Sequence, residues 1–331
     1  VKGHAGWAKA TIAPQRGNDD IPDEQLDDHD GDIDTVSGQP VAPASRQWPA
    51  VDPAGGNRDT SSSNIPLCSQ AAVEHEANEW AKLWKEGSDY LGTLDNELCT
   101  PPDPLMIHIV RKAAMSFPAG TGLGGDNIAP RALNRLSDEA LLYLVALFHA
   151  IELAGRWPTV MHLVLIVLLP KPDGGRRPIG LFPTLVRVWM RARVELARQW
   201  DSTHILKGCY GGSGMGAQRA AWQAAFRSET AAQRGMNFAQ SLLDLVKAFE
   251  KIPHQYIIAA AVKHGYCLRT LRLSLAAYRL PRSVGIDGNY SRTIVATLGI
   301  TAGSGFATTE LKLLLFDVVT GINTAWPLVI L

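Results

Sequence analysis

The spacing of apolar positions along this 331-residue chain changes several times, and each change marks an element. Over residues 69–90, Ala, Trp and Leu fall on one side and Glu and Lys on the other, which predicts an amphipathic helix. Ser137, Asp138 and Glu139 start another helix that runs to about Ala154. Ser supplies a capping oxygen, and the two acids suit the positive end of the helix dipole. Trp157 and Pro158 stop it. Residues 163–169 are an unbroken Val/Ile/Leu run between His162 and Pro170, which predicts a buried strand. A turn at 171–177 follows, then a short extended piece at Pro178 and Ile179. Leu185, Val188, Ala192, Leu196 and Trp200 recur at helical spacing. Further helices are expected at 218–232, 254–264 and 269–279, and a strand at 237–244. Residues 283–297 alternate as a hairpin turning at Asp287 and Gly288. No internal repeat is present. The fold class that follows is α+β and helix-rich.

The N-terminal part breaks this pattern. Residues 1–65 mix Gly, Pro, Ser and Asp, and residues 19–34 carry acids without any Lys or Arg. Such a segment cannot bury enough apolar area to offset the entropy of ordering it, so disorder is expected. It reads either as an acidic interaction tail or as a plain linker. The zero net charge therefore sums two unlike parts. Residues 1–60 hold 5 Lys/Arg against 11 Asp/Glu, and residues 61–331 hold 27 against 21. A basic folded part permits a polyanionic partner without requiring one. Cys68, Cys99, Cys209 and Cys267 lack metal-site spacing and suggest a reducing, intracellular setting in nucleus or cytoplasm. Neither a signal peptide nor an apolar run of membrane-spanning length is evident, so no membrane partner is expected.

Four segments could carry chemistry. The turn at 171–177 projects Lys171, Arg176 and Arg177, which can grip a triphosphate or simply stay solvated. Arg187, Arg191 and Arg198 fall near one face of the next helix, where they can track a phosphate backbone or form an ordinary solvated face. Asp244 ends an apolar run and Phe249 follows five residues later. A strand-end carboxylate can hold Mg²⁺ against a triphosphate, and an aromatic beyond it can lie under the sugar. Glu250 reads as a helix-start acid. Gly303, Ser304 and Gly305 lead into an apolar helix, where backbone can approach a ligand or merely enter the helix. The glycine cluster at 212–216 does not follow a βαβ strand, which argues against a dinucleotide site.

Taken in order, the glycine loop at 117–130, K-P-x-G-G-x-R-P-I from 171, G-S-G-x-G-A-Q from 212, D-L-x-K-A-F-E-x-x-P-H from 244 and G-I-x-A-G-S-G-F-A-T from 299 form a recognisable series. This series resembles the reverse transcriptase domain of non-LTR retrotransposons over residues 105–325. The resemblance implies an RNA-directed DNA polymerase shaped as a right hand, with 171–179 in the fingers and the segments around Asp244 and Gly303 in an antiparallel palm sheet. Residues 66–104 would be a helical N-terminal extension. The resemblance makes Asp244 a Mg²⁺ ligand with the Leu245 carbonyl nearby, and Phe249 the gate that selects deoxyribonucleotides. Lys171 and Arg177 become triphosphate contacts, and Gly303 and Ser304 support the template and incoming base. Arg187 and Arg191 remain candidates for nucleic-acid contact. The implied partners are an RNA template, a DNA primer and dNTPs.

Two departures qualify that expectation. Ala302 stands where the family usually has Gln, so a contact near the nucleotide sugar is lost or made otherwise. No aromatic-x-Asp-Asp segment follows the Gly303 helix in these 331 residues. Two-metal chemistry needs several carboxylates, so a fragment with fingers and an incomplete palm, inactive or nearly so, is expected. A non-catalytic nucleic-acid-binding remnant and a helical interaction protein are the alternatives.

Overall fold

The computed structural model describes residues 70–87, 94, 100–172, 174–206, 208–211, 216–240 and 245–325. The acidic tail, the glycine cluster at 212–215, Asp244 and residues 328–331 lie outside them. Eight α-helices occur among the described residues: α1 (Gln70–Leu83), α2 (Ile107–Met115), α3 (Asp138–Ala154), α4 (Thr184–Thr203), α5 (Ala217–Gln233), α6 (His254–Lys263), α7 (Leu268–Tyr278) and α8 (Ala307–Ala325). Four strands, β1 (Val164–Pro170), β2 (Arg176–Leu181), β3 (Arg282–Ile286) and β4 (Asn289–Ile294), form one sheet in the order β2-β1-β3-β4. This is an α+β architecture, rich in helix. None of the helices is long and apolar enough to cross a membrane, among the described residues.

Local chemistry explains several boundaries. The Ser137 hydroxyl accepts a hydrogen bond from the Ala140 N–H at 3.2 Å, and Gly155 ends α3 in the left-handed conformation at φ 63°. Asp287 and Gly288 both have positive φ, 48° and 84°, as a two-residue hairpin turn requires. The start of α4 is capped from a distance, because its preceding residue is Pro183. The Asp126 carboxylate in the glycine loop accepts from the Thr184 N–H at 2.5 Å, tying that loop to the helix.

The sheet is mixed, where an antiparallel one was expected. β1 pairs antiparallel with β2, with Leu165 opposite Leu181 and Pro170 opposite Arg176. It pairs parallel with β3, with Val164 opposite Arg282 and Val167 opposite Gly285. β1 itself alternates, burying Val164, Ile166 and Leu168 while Leu169 is exposed, so the apolar run is not buried throughout. All five residues of β3 are buried. Its register with β4 shifts between Ser283 and Gly285, and there the Ser291 hydroxyl accepts from the Val284 N–H at 3.0 Å. Residues 237–240, expected to begin a strand, carry no regular structure.

α4 anchors the core. Trp189 is fully buried and meets Trp157 and Phe306 edge-on, at centroid distances of 5.4 and 5.7 Å. The buried face runs through Val186, Trp189, Met190, Arg193, Ala197 and Trp200. Of the predicted stripe, Val188 and Trp200 are buried as expected, while Leu185, Ala192 and Leu196 are only half-buried, so the buried face is shifted round the helix. That shifted face carries an ion pair inside the core. Arg193 donates to both oxygens of Glu152 at 2.7 Å, Trp189 donates to Glu152 at 2.8 Å, and Arg193 also reaches the Asp103 carbonyl at 2.6 Å. Both charged side chains are 6% exposed. The exposed Arg292–Glu86 pair contributes about 0–1 kcal/mol by comparison. Removing one member of the buried pair strands the other without a partner. Glu152→Ala should therefore cost about 3–5 kcal/mol in urea denaturation, and an unchanged midpoint would contradict this account.

Candidate functional site

Three of the sequence segments meet at one loop, residues 298–305. From β2, the Gly180 N–H donates to the Ala302 carbonyl at 2.6 Å. From the segment before α6, Gly299 N–H donates to the Ile252 carbonyl and Ile300 N–H to the Phe249 carbonyl, both at 2.8 Å. These contacts leave no room for side chains. A Cβ on Gly303, at φ 114°, would lie 2.3 Å from the Gly180 oxygen, and one on Gly299, at φ 90°, would lie 2.7 Å from the Glu250 oxygen. The glycines thus serve first to bring backbone against backbone.

His254 locks the same junction. It is 2% exposed, its Nε2 donates to the Gly299 carbonyl at 2.8 Å, and its Nδ1 accepts from Arg279 Nε at 3.3 Å. That pairing requires the neutral ring with the proton on Nε2. Burial pushes its pKa down to about 4, against the pull of the Gly299 carbonyl. In the sequence, His254 stands only at the end of the motif that begins at Asp244, and nothing local marks it for this role.

The predicted site residues divide into groups. Asp244 lies outside the described residues. Leu245 is exposed, while Phe249 is half-buried, packs against the core and holds Ile300 through its carbonyl. Lys171 and Arg177 flank the β1–β2 turn, closed by Lys171 N–H to the Gly175 carbonyl at 2.8 Å, and both are exposed. Arg177 is three residues along β2 from Gly180, roughly 10 Å away. Arg176, in contrast, faces Glu76 of α1 at 3.4 Å.

Gly303 and Ser304 do meet Arg187 and Arg191. Together with Phe117, Met190 and Gly305 they line a cleft of about 210 Å³. The two guanidinium groups lie over the Phe117 ring, 5.9 and 5.0 Å from its centroid. Arg191 is exposed. Arg187 is not part of a solvated stripe, because it is 8% exposed and donates to the Gly122 carbonyl at 2.7 Å. Its Nε and Nη2 are buried without a hydrogen-bond partner, and burial lowers its pKa. Arg198 stays exposed beside Glu195. Ser304 is tied from behind by Tyr278, whose Oη lies 2.7 Å from its hydroxyl.

A second arginine went unforeseen. Arg282 is 3% exposed, lies over the Trp84 ring at 4.6 Å and donates to the Tyr278 carbonyl and, at 3.3 Å, to Thr301 Oγ1. Burial pushes its pKa down to about 10. Its place at the start of a strand, facing inward, has no sequence signature. A magnesium site needs several oxygen ligands. Among the described residues no group of three or more His, Cys, Asp or Glu could hold a metal. The described residues alone therefore do not fit the ion.

No family model matches the chain. A 117-residue stretch is 27% identical to the RNA-directed DNA polymerase from mobile element jockey of Drosophila funebris. That likeness supports a reverse transcriptase relationship. The stretch covers 34% of this chain and 13% of that protein, so the chain spans a small part of its relative's length.

The His254 geometry gives a pH signature. The unfolded ring takes up a proton near its usual 6.5 and the folded ring only near about 4, so between these values the unfolded chain binds more protons. Stability from this group is complete above 6.5 and is lost as the pH falls towards 4. Urea denaturation of wild type and His254→Gln should show their difference shrinking by about 2 kcal/mol between about pH 7.5 and about pH 4.5. A constant difference would mean that the ring is not held neutral.

Proposed function

We propose that residues 105–325 are the fingers and part of the palm of a reverse transcriptase domain, acting on an RNA template, a DNA primer and dNTPs. The observation that carries this reading is the likeness to the jockey polymerase, in a chain where the 249–254 segment is hydrogen-bonded to the loop at 299–305 and Gly180, the residue after the 171–179 segment, donates to Ala302 of the same loop. The β1–β2 hairpin belongs to the fingers in this reading, and the junction around Gly303 to the palm.

Roles follow from the chemistry of each position. Lys171 and Arg177, exposed at a turn, contact the triphosphate, where a mobile ammonium and a planar guanidinium can both reach oxygen atoms. Phe249, braced by the core, forms the floor beneath the sugar. Arg191 meets the nucleic-acid backbone in the cleft, with Arg187 behind it adding positive charge in a poorly solvated place. Gly303 and Ser304 support the template base from the cleft floor. Nucleotidyl transfer in this family is Mg²⁺-dependent, and Asp244 with the Leu245 carbonyl would contribute to the ion's coordination.

Binding of a fluorescein-labelled RNA–DNA primer–template tests the reading directly. The affinity should fall steeply between about 50 and about 200 mM salt, and Arg191→Ala should lower the log–log salt slope by about 1. Lys171→Ala with Arg177→Ala should weaken dNTP binding more than duplex binding. Salt-independent binding, or indifference to Arg191→Ala, would remove the cleft from the nucleic-acid path.

A further inference from the structure

Behind the cleft floor lies a chain of hydroxyl groups that ends on a buried carboxyl. Glu310, in the first turn of α8, is 0% exposed. Its Oε2 lies 2.5 Å from Tyr278 Oη and its Oε1 lies 2.5 Å from Ser274 Oγ. Tyr278 Oη continues to Ser304 Oγ at 2.7 Å, and Ser304 Oγ accepts from the Phe306 N–H at 3.1 Å. Ser274 Oγ also lies 2.9 Å from the Leu271 carbonyl.

Each hydroxyl has one proton to donate, and that restricts how the chain can be wired. Tyr278 gives its proton to Glu310, so Ser304 must donate to Tyr278. Ser274 can serve the Leu271 carbonyl only if Glu310 donates to Ser274. A proton on Glu310 therefore completes every contact, and an ionised Glu310 takes the Ser274 proton away from Leu271.

We propose that Glu310 is the protonated end of a latch that holds the loop at residues 303–305 in place, and that losing this proton to solvent loosens the loop and weakens anion binding in the arginine cleft. The second half rests on the reading of that cleft as a nucleic-acid site. Two effects act in the same direction. An ionised carboxyl at a fully buried position draws water or displaces its neighbours, and the neighbour Tyr278 carries that disturbance on to Ser304. It also places negative charge beneath a cleft whose arginines attract anions.

The surroundings of Glu310 assign the titration to this group. Burial pushes its pKa up to about 7, against the opposing pull of the Ser274 and Tyr278 hydroxyls. From α7, Tyr278 is pushed well above its ordinary value by burial and by Glu310. Tyr266, ahead of α7, is raised likewise. Cys267 receives the Thr270 hydroxyl at 3.3 Å. Asp201, near the end of α4, is held by Lys312 at 2.9 Å and by Thr309 at 2.8 Å. From β3, Arg282 donates to the Tyr278 carbonyl, and from α6 the His254 ring lies 6.2 Å from Tyr278. Glu310→Gln separates the carboxyl from all of these, since the amide donates to Ser274 and accepts from Tyr278 as the protonated acid does.

Amide hydrogen exchange of peptides covering residues 299–311 tests the latch without any ligand. At about pH 6 wild type and Glu310→Gln should exchange alike, and at about pH 8.5 wild type should exchange faster than the variant. Tyr278→Phe, which cuts the chain while keeping the carboxyl, should exchange fast at both. Binding of the labelled RNA–DNA hybrid should be about five-fold weaker at the higher pH in wild type and unchanged in Glu310→Gln. Equal exchange of wild type and Glu310→Gln at the higher pH overturns the latch. A latch seen by exchange with hybrid binding that ignores pH overturns only its coupling to the cleft, and hybrid binding indifferent to Arg191→Ala points instead to failure of the nucleic-acid reading.

Discussion

The approach of bare backbone to bare backbone at Gly299 and Gly303 is the constraint on which the rest of the site depends. Gly303 packs on the carbonyl of Gly180, and Gly299 on that of Glu250, at separations a Cβ cannot enter. Because those contacts fix the loop to β2 on one side and to the Phe249 segment on the other, the sheet, the α6 entry and the α8 start share one frame. A side chain at either position would part segments that lie far apart in the chain. The cleft with Arg187 and Arg191 exists only because this loop stands where it does.

Charge is handled around that frame in several distinct ways. Glu152 and Arg193 neutralise each other with two 2.7 Å contacts and keep α4 seated. His254 is kept neutral by burial, and Arg282 keeps its charge over the face of Trp84. Glu310 is relieved only by hydroxyl groups, and Arg187 has two buried nitrogens with no partner. The paired charges are structural. Of the incompletely paired ones, Arg187 lines the cleft and Glu310 lies behind its floor, where a ligand or a proton changes their energy most.

Much of the local structure was legible. Ser137 and the two acids after it marked the start of α3, and Asp287 with Gly288 marked the turn between β3 and β4, because a cap or a two-residue turn is decided by chemistry within a few residues. The rotation of α4 was not legible, since Arg193 reads as a surface residue until Glu152, 41 positions away, neutralises it. Arg187 likewise reads as a surface residue until the Gly122 carbonyl, 65 positions away, meets it. Residues 237–240 looked like a strand on composition and have no strand partner in the described structure. Of the candidate site, the glycine-rich loop and the Phe249 segment were visible as motifs, whereas Arg282, Tyr278 and Glu310 were not, because each acquires its role through contacts with distant residues.

The sequence by itself determined most of the helices and strands, the α+β class, the contrast between an acidic N-terminal part and a basic remainder, and the order of the motif segments. These depend on spacing, capping and composition, all of which are local or additive. Only the tertiary structure decided that β1 runs parallel to β3, that three motif segments join at residues 298–305, and which charged side chains are buried. Those outcomes depend on strand pairing, on steric room for a missing Cβ and on desolvation. Each is a property of residues brought together across the chain, so no stretch of the sequence contains it.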